Sequence, residues 1–108
     1  MTKIIHYEPT SRCNAACPMC ARNVNGEGCV VPLQDLSLEL FQTQITTTLN
    51  TLEKVFFCGA VGDPCADQTL LDKISWIKTQ RKDVVVGINT NGSIRNPAWW
   101  TQCGELMV

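Results

Sequence analysis

Three cysteines crowd the segment RCNAACPMCAR, at positions 13, 17 and 20, with three residues between the first pair and two between the second. A thiolate is a nucleophile and a soft metal ligand. Three of them in one polar stretch point to metal chemistry, although a buried cysteine also serves as a small hydrophobe. Two metal readings stand open. Structural zinc takes four closed ligands, usually as paired CxxC-like knuckles. Cys17 and Cys20 make one knuckle, and Cys13 and Cys29 could complete a site, but there is no second knuckle. A closed four-iron cluster also takes four cysteines, spaced differently in the ferredoxin run. Three ligands on a four-iron cube leave one iron open. Reactive metal sites keep such a vacancy, and it could accept a chelating substrate or cofactor.

The rest of the composition narrows the setting. The chain has 108 residues, enough for one domain or part of one. With 44% hydrophobic and 18% charged residues it reads as globular rather than disordered. A net charge of −1 argues against nucleic acid as the main partner. No run approaches the roughly 18 apolar residues of a membrane span, so no membrane partner is expected. The opening MTKIIHYEPT lacks the apolar stretch of a secretory signal. The expected location is therefore the reducing cytoplasm, where cysteines more often bind metals or react than pair as disulfides. Seven is also an odd number of cysteines for a fully paired intramolecular set.

The elements that must position the thiols alternate. Residues 3–7 form a β-branched and aromatic run that stops at Pro9, a strand. Residues 9–36, punctuated by Pro18, Gly26, Gly28 and Pro32, form a long loop that carries the cysteines, with room for one short helix after Pro18. Ser37 is an N-cap candidate, and Leu38, Phe41, Ile45, Leu49 and Leu52 then fall on one helical face. Residues 55–58 and 84–88 are continuous apolar runs, as in strands buried within a parallel sheet. Between them Asp67 could cap a helix with Leu70, Leu71, Ile74 and Ile77 inward. Asn91-Gly92 turns the chain, and Asn96-Pro97 reads as the cap and first position of a third helix ending near Gly104. The order β-loop-α-β-α-β-α predicts an α/β fold of parallel units with right-handed crossovers. Ligands then bind beyond the carboxyl ends of the strands, the edge that receives the cysteine loop, GAVGDP and NTNG.

The Cx3Cx2C triad after a first strand resembles the signature of the radical SAM superfamily. EPTSRCNAACPMCAR is similar to the opening of its SPASM-type branch. FCGAVGDP resembles that branch's second-strand Gly-Gly-Glu-Pro element, and NTNGS its third-strand end. These motifs span residues 8–93. The resemblance implies a partial (β/α)6 barrel, truncated to about three β/α repeats, with residues 1–108 as a single partial core. It also implies a 4Fe–4S cluster held by Cys13, Cys17 and Cys20, with S-adenosylmethionine (SAM) chelating the fourth iron. Family chemistry passes one electron to the sulfonium, and the resulting 5′-deoxyadenosyl radical abstracts hydrogen from substrate. Such cofactors do the radical chemistry, and the protein supplies position and exclusion of water. The implied partners are an electron donor such as flavodoxin or ferredoxin and an undefined peptide, protein or small-molecule substrate. The alternative is a non-catalytic module holding zinc or a closed cluster, with Cys29 as fourth ligand.

Further residues could serve SAM. The Asp63 carboxylate could accept from its ammonium, and Gly62 would let backbone approach closely. Met19 precedes the third cysteine, where its soft side chain could pack near the adenine. Thr90 and Asn91 end the third strand at the same edge. Each also has a bland reading: Gly62-Asp63-Pro64 as a turn with a helix cap, and Thr90-Asn91 as turn chemistry before Gly92. Cys58 and His6 are expected in the core or barrel, Glu8 at a strand end or facing the site, and Trp99 and Trp100 packing the third helix. Cys29, Cys65 and Cys103 could bind a second cluster, Cys65 being the best placed. Arg12 and Arg22 flank the cluster loop and could offset its charge or face solvent. Six β/α units would need roughly 200 residues at about 30 each. A fragment, a split half, a minimal form, or a partner chain that completes the barrel would each account for the short chain.

Overall fold

The computed structural model describes residues 3–12, 34–59, 62–106 and 108. Its elements are β1 (Ile4–Tyr7), α1 (Leu38–Thr46), β2 (Lys54–Phe57), a 3-10 turn (Pro64–Ala66), α2 (Leu70–Gln80), β3 (Val85–Ile88) and α3 (Pro97–Glu105). The three strands form one sheet in the order β1-β2-β3, and both pairings are parallel. Tyr7, Phe57 and Ile88 stand level at the carboxyl end. The loops that follow the strands therefore share one edge, as the sequence pattern predicts. Among the described residues, no helix is long and apolar enough to cross a membrane.

Side chains alternate across a pleated strand, and among the described residues the helices cover one face of this sheet. Tyr7, Val55, Phe57 and Val86 join Phe41 and Ile45 of α1 and Leu70, Ile74 and Ile77 of α2 in a single buried cluster. Phe41 sits at its centre, its ring centroid 4.8 Å from Tyr7 and 5.7 Å from Phe57. The opposite face carries Ile4 and Val85, about half exposed at 51% and 50%. The expectation of strands buried on both faces is thus corrected. β2 and β3 turn Val55, Phe57 and Val86 into the core, whereas Lys54 and Val85 on the other face are exposed. His6 lies on this second face, exposed, with its ring tilted on Phe56 at 5.5 Å. It is not a core residue.

Capping chemistry explains where the helices begin. The Ser37 side chain accepts from the Leu40 amide at 3.1 Å, and Asn96 Oδ1 accepts from the Trp99 amide at 2.9 Å ahead of Pro97. The apolar period of α1 runs on to Leu52, but the helix stops at Thr46. Three consecutive threonines follow from that point. These β-branched residues favour helix poorly, and the Thr46, Thr47 and Thr48 hydroxyls donate back to the carbonyls of Gln42, Gln44 and Ile45. Leu49 and Leu52 still reach the core from the turn. Asp67 does not cap α2 directly. Thr69 holds the N-cap position, and Asp67 Oδ1 instead accepts from the Thr69 amide at 3.0 Å. Cys58 falls one residue beyond β2 and is half-buried, outside the core that its apolar neighbours suggested. Trp99 and Trp100 do pack α3 against the core, edge to face with each other at 4.8 Å.

Candidate functional site

The two ends of the cysteine loop are held together just beyond β1. Thr10 and Asp35 form an antiparallel bridge. The Ser11 amide donates to the Gln34 carbonyl at 2.9 Å, and the Leu36 amide donates to the Pro9 carbonyl at 2.8 Å. Side chains reinforce this short ladder. The Gln34 amide donates to Ser11 Oγ at 2.7 Å, the Thr10 hydroxyl donates to Asp35 Oδ1 at 2.5 Å, and the Arg12 amide donates to Thr10 Oγ1 at 3.1 Å. Arg12 Nε lies 3.2 and 3.0 Å from the two Asp35 oxygens. Arg12 therefore pairs across the neck of the loop rather than only facing solvent.

The Thr10 hydroxyl, and behind it the Arg12 guanidinium, hold the Asp35 carboxyl below its ordinary value. A depressed carboxyl contributes stability that is complete above its unfolded value and is lost as pH falls through the folded one. The neck is therefore expected to loosen below about pH 4. Amide exchange at Ser11, corrected for intrinsic pH dependence, should hold steady relative to the sheet amides from neutral pH down to about 4 and rise below it. Asp35→Asn should abolish that relative change, and an identical change in the variant would refute the assignment.

Asp63 organises the adjacent two loops. It is 4% exposed, and each carboxylate oxygen is engaged. Oδ1 accepts from the Cys65 amide at 2.9 Å, capping the 3-10 turn. Oδ2 accepts from the Asn91 amide at 2.8 Å. The Thr90 hydroxyl stands 2.6 and 2.8 Å from the two oxygens. The Asp63 amide donates to the Arg12 carbonyl at 2.7 Å, immediately before Cys13. One residue thus joins the loop after β2 to the loop after β3 and to the entry of the cysteine loop.

Glycine allows that contact. A Cβ on Gly62 would collide with the Thr10 carbonyl oxygen and stand 2.8 Å from Ser11 Cα, both backbone atoms. A Cβ on Gly59 would run into the Gly62 carbonyl. At the third loop, Gly92 takes φ of 78°, the left-handed region that glycine enters without strain. Asn91 Oδ1 accepts from the Ser93 amide at 2.9 Å and completes the turn.

Of the residues that sequence reasoning singled out, Gly62, Asp63, Thr90 and Asn91 come together at the carboxyl edge. The turn-and-cap reading of Asp63-Pro64 is the one the geometry bears out, through the bond from the Cys65 amide. Cys13, Cys17, Met19, Cys20, Arg22 and Cys29 lie outside the described residues. Among the described residues, no three His, Cys, Asp or Glu side chains are grouped to hold a metal. Burial pushes the thiols of Cys58, Cys65 and Cys103 up. Sequence reasoning missed Thr10, Asp35 and Lys73. Thr10 and Asp35 bracket the cysteine loop almost symmetrically, a signal that was present in the sequence. Lys73, fully buried on α2, occupies a slot in the apolar period and carried no such signal.

The architecture defines an α/β protein of consecutive parallel β/α units with its polar loops gathered at the carboxyl edge. No family model matches the chain. It superposes on the crystal structure of BtrN in complex with AdoMet and 2-DOIA with a TM-score of 0.75, over 98% of this chain and 42% of that one. Sequence identity there is 17%, so the likeness is one of fold. The chain is also 28% identical over 109 residues to the tungsten-containing aldehyde ferredoxin oxidoreductase cofactor-modifying protein of Pyrococcus furiosus. That match takes in 98% of this chain and 28% of the relative. The chain therefore spans less than half the length of either protein.

Proposed function

We propose that this chain is the cluster- and SAM-binding part of a radical SAM enzyme of the SPASM-type branch. The observation that carries the reading is the Cx3Cx2C segment, set in a loop whose neck is closed at the carboxyl edge of a parallel sheet. The shared fold with a protein crystallised with AdoMet supports it. The donor set also suits the group, because three thiolates without a neighbouring fourth match an iron–sulfur cube with one free corner.

In this reading Cys13, Cys17 and Cys20 hold three irons of a 4Fe–4S cluster. When bound, the cluster and SAM supply one-electron cleavage of the sulfonium and hydrogen abstraction from substrate. The chain's own residues bind and orient. Gly62 brings backbone against the loop entry, and Met19 packs beside the adenine. A carboxylate has about four acceptor positions, and in Asp63 three protein donors already take most of them. Its main task is to fix the backbone of residues 90 and 91 beside the loop entry, with one position left for the SAM ammonium. Thr90 and Asn91 line that same corner. The electron would come from a flavodoxin- or ferredoxin-class donor in a reducing cytoplasm. The substrate class stays open among peptides, proteins and small molecules, and a partner chain or further β/α units would complete the barrel.

Anaerobic reconstitution tests the reading. The chain is expected to take up about four irons and four sulfides, and its reduced EPR signal should change when SAM is added. Alanine at Cys13, Cys17 or Cys20 should remove both properties. One zinc per chain with no labile sulfide would end the proposal.

A further inference from the structure

Lys73 is the one lysine of α2 that points into the core, in register with Leu70, Ile74 and Ile77. An amphipathic helix covering a sheet ordinarily puts an apolar residue there. The side chain is completely buried. Its Nζ donates to Asp67 Oδ2 at 2.5 Å, to Thr69 Oγ1 at 2.8 Å and to the Leu36 carbonyl at 2.7 Å. An ammonium group has three donors, and all three are used. Asp67 is buried as well, and its second oxygen accepts from the Thr69 amide and hydroxyl.

Stability alone does not explain this arrangement. Desolvation offsets most of the attraction in a buried ion pair, and apolar replacements of both partners are often neutral or stabilising. The destination of the third bond is more informative. Leu36 follows Asp35 at the exit of the cysteine loop, and its own amide donates to the Pro9 carbonyl at the end of β1. The peptide at the loop exit is thereby held from two sides, by β1 and by Lys73. The Lys73 charge also adds to the field, led by Thr10 and Arg12, that favours ionised Asp35 in the neck.

We infer that Lys73 is a positioning residue for the cysteine loop, tethering the loop exit to α2 so that the neck formed by residues 9–12 and 34–36 stays closed. The inference rests on the radical SAM reading for its purpose, but the tether itself is a property of the protein without cofactors. Lys73→Met/Asp67→Leu removes the tether and leaves no orphaned charge. In the apoprotein, amide exchange at Leu36 and Ser11 should accelerate by about tenfold, the scale of one lost charged hydrogen bond. Exchange at Val55 and Val86 should stay unchanged. After reconstitution, chelator should strip iron about tenfold faster from the variant, and the SAM-dependent EPR change should shrink. Arg81→Ala supplies the control. It removes a guanidinium that caps the Leu49 and Leu52 carbonyls away from the loop, and it should leave the cluster signal alone.

Unchanged exchange at Leu36 in the double variant would overturn the inference whatever the cluster does. If the parent took up no cluster, the radical SAM reading would fall, while the exchange comparison would still decide the tether. Should the double variant not fold, NMR of the parent decides. Slowly exchanging Lys73 ammonium protons with contacts to Leu36 support the tether, and rapid exchange without such contacts rejects it.

Discussion

Replacing Asp63 with alanine is expected to cost about 3–5 kcal/mol of stability, a large share of the roughly 5–15 kcal/mol available to a domain of this size. The substitution leaves the Cys65 and Asn91 amides without their acceptor. An orphaned buried donor costs about 1–3 kcal/mol, and the Thr90 hydroxyl must also find a new partner. Asp63→Asn should be milder, by about 1–3 kcal/mol for one buried mismatch. One end of the amide can still accept, but the other then presents a donor to a donor. Urea titration of both variants measures these costs. The loss should also be local: exchange at Cys65 and Asn91 should rise before the sheet opens. If Asp63→Ala fell within the ±0.5 kcal/mol or so of an ordinary surface change, the three-loop junction would not exist as described.

That junction also marks the limit of what the sequence disclosed. Elements governed by local chemistry were legible: the Ser37 and Asn96 caps, Pro97 at the start of α3, the Gly92 turn and the parallel order of the units. The loops were correctly assigned to one edge, because alternating β and α segments leave few alternatives. Features set by several distant loops at once were not legible. Asp63 looked like a turn residue or a ligand, yet its bonds to residues 90 and 91 depend on how far each strand extends. The burial of Lys73 was hidden because one charge in an apolar period reads as an interruption, and its three acceptors lie on separate segments. Asp67 missed its predicted cap position by two residues, since the 3-10 turn after Pro64 uses up chain before α2 begins. Cys58 reads as core because it continues an apolar run, and His6 as a barrel or core residue because it lies on the first strand. Among the described residues the helices instead cover one face of the sheet, and β2 ends a residue early.

Alanine at Gly62 should produce a comparable loss by a different route, and a set of glycine variants separates the routes. At Gly104 the added methyl meets nothing and the residue lies in α3. There the change should stabilise by about 0.5 kcal/mol through helix propensity. Gly92→Ala also meets no atom, but φ of 78° is unfavourable for an L side chain. That strain should cost about 1–2 kcal/mol. Gly62 has neither a helix to gain nor a left-handed angle to lose; its penalty is steric. The new methyl would strike the Thr10 carbonyl and crowd Ser11 Cα at 2.8 Å. Backbone cannot swing aside as a side-chain tip can. The strand-loop contact must therefore part, breaking the Asp63 amide bond to the Arg12 carbonyl and loosening the neck beside Cys13. The expected loss is about 3 kcal/mol or more, the scale of severe overpacking. It should be accompanied by faster Ser11 exchange and weaker iron retention, whereas Gly92→Ala should lose stability with the neck intact. Equal behaviour of the Gly62 and Gly92 variants at Ser11 would mean that the second loop does not brace the cysteine loop.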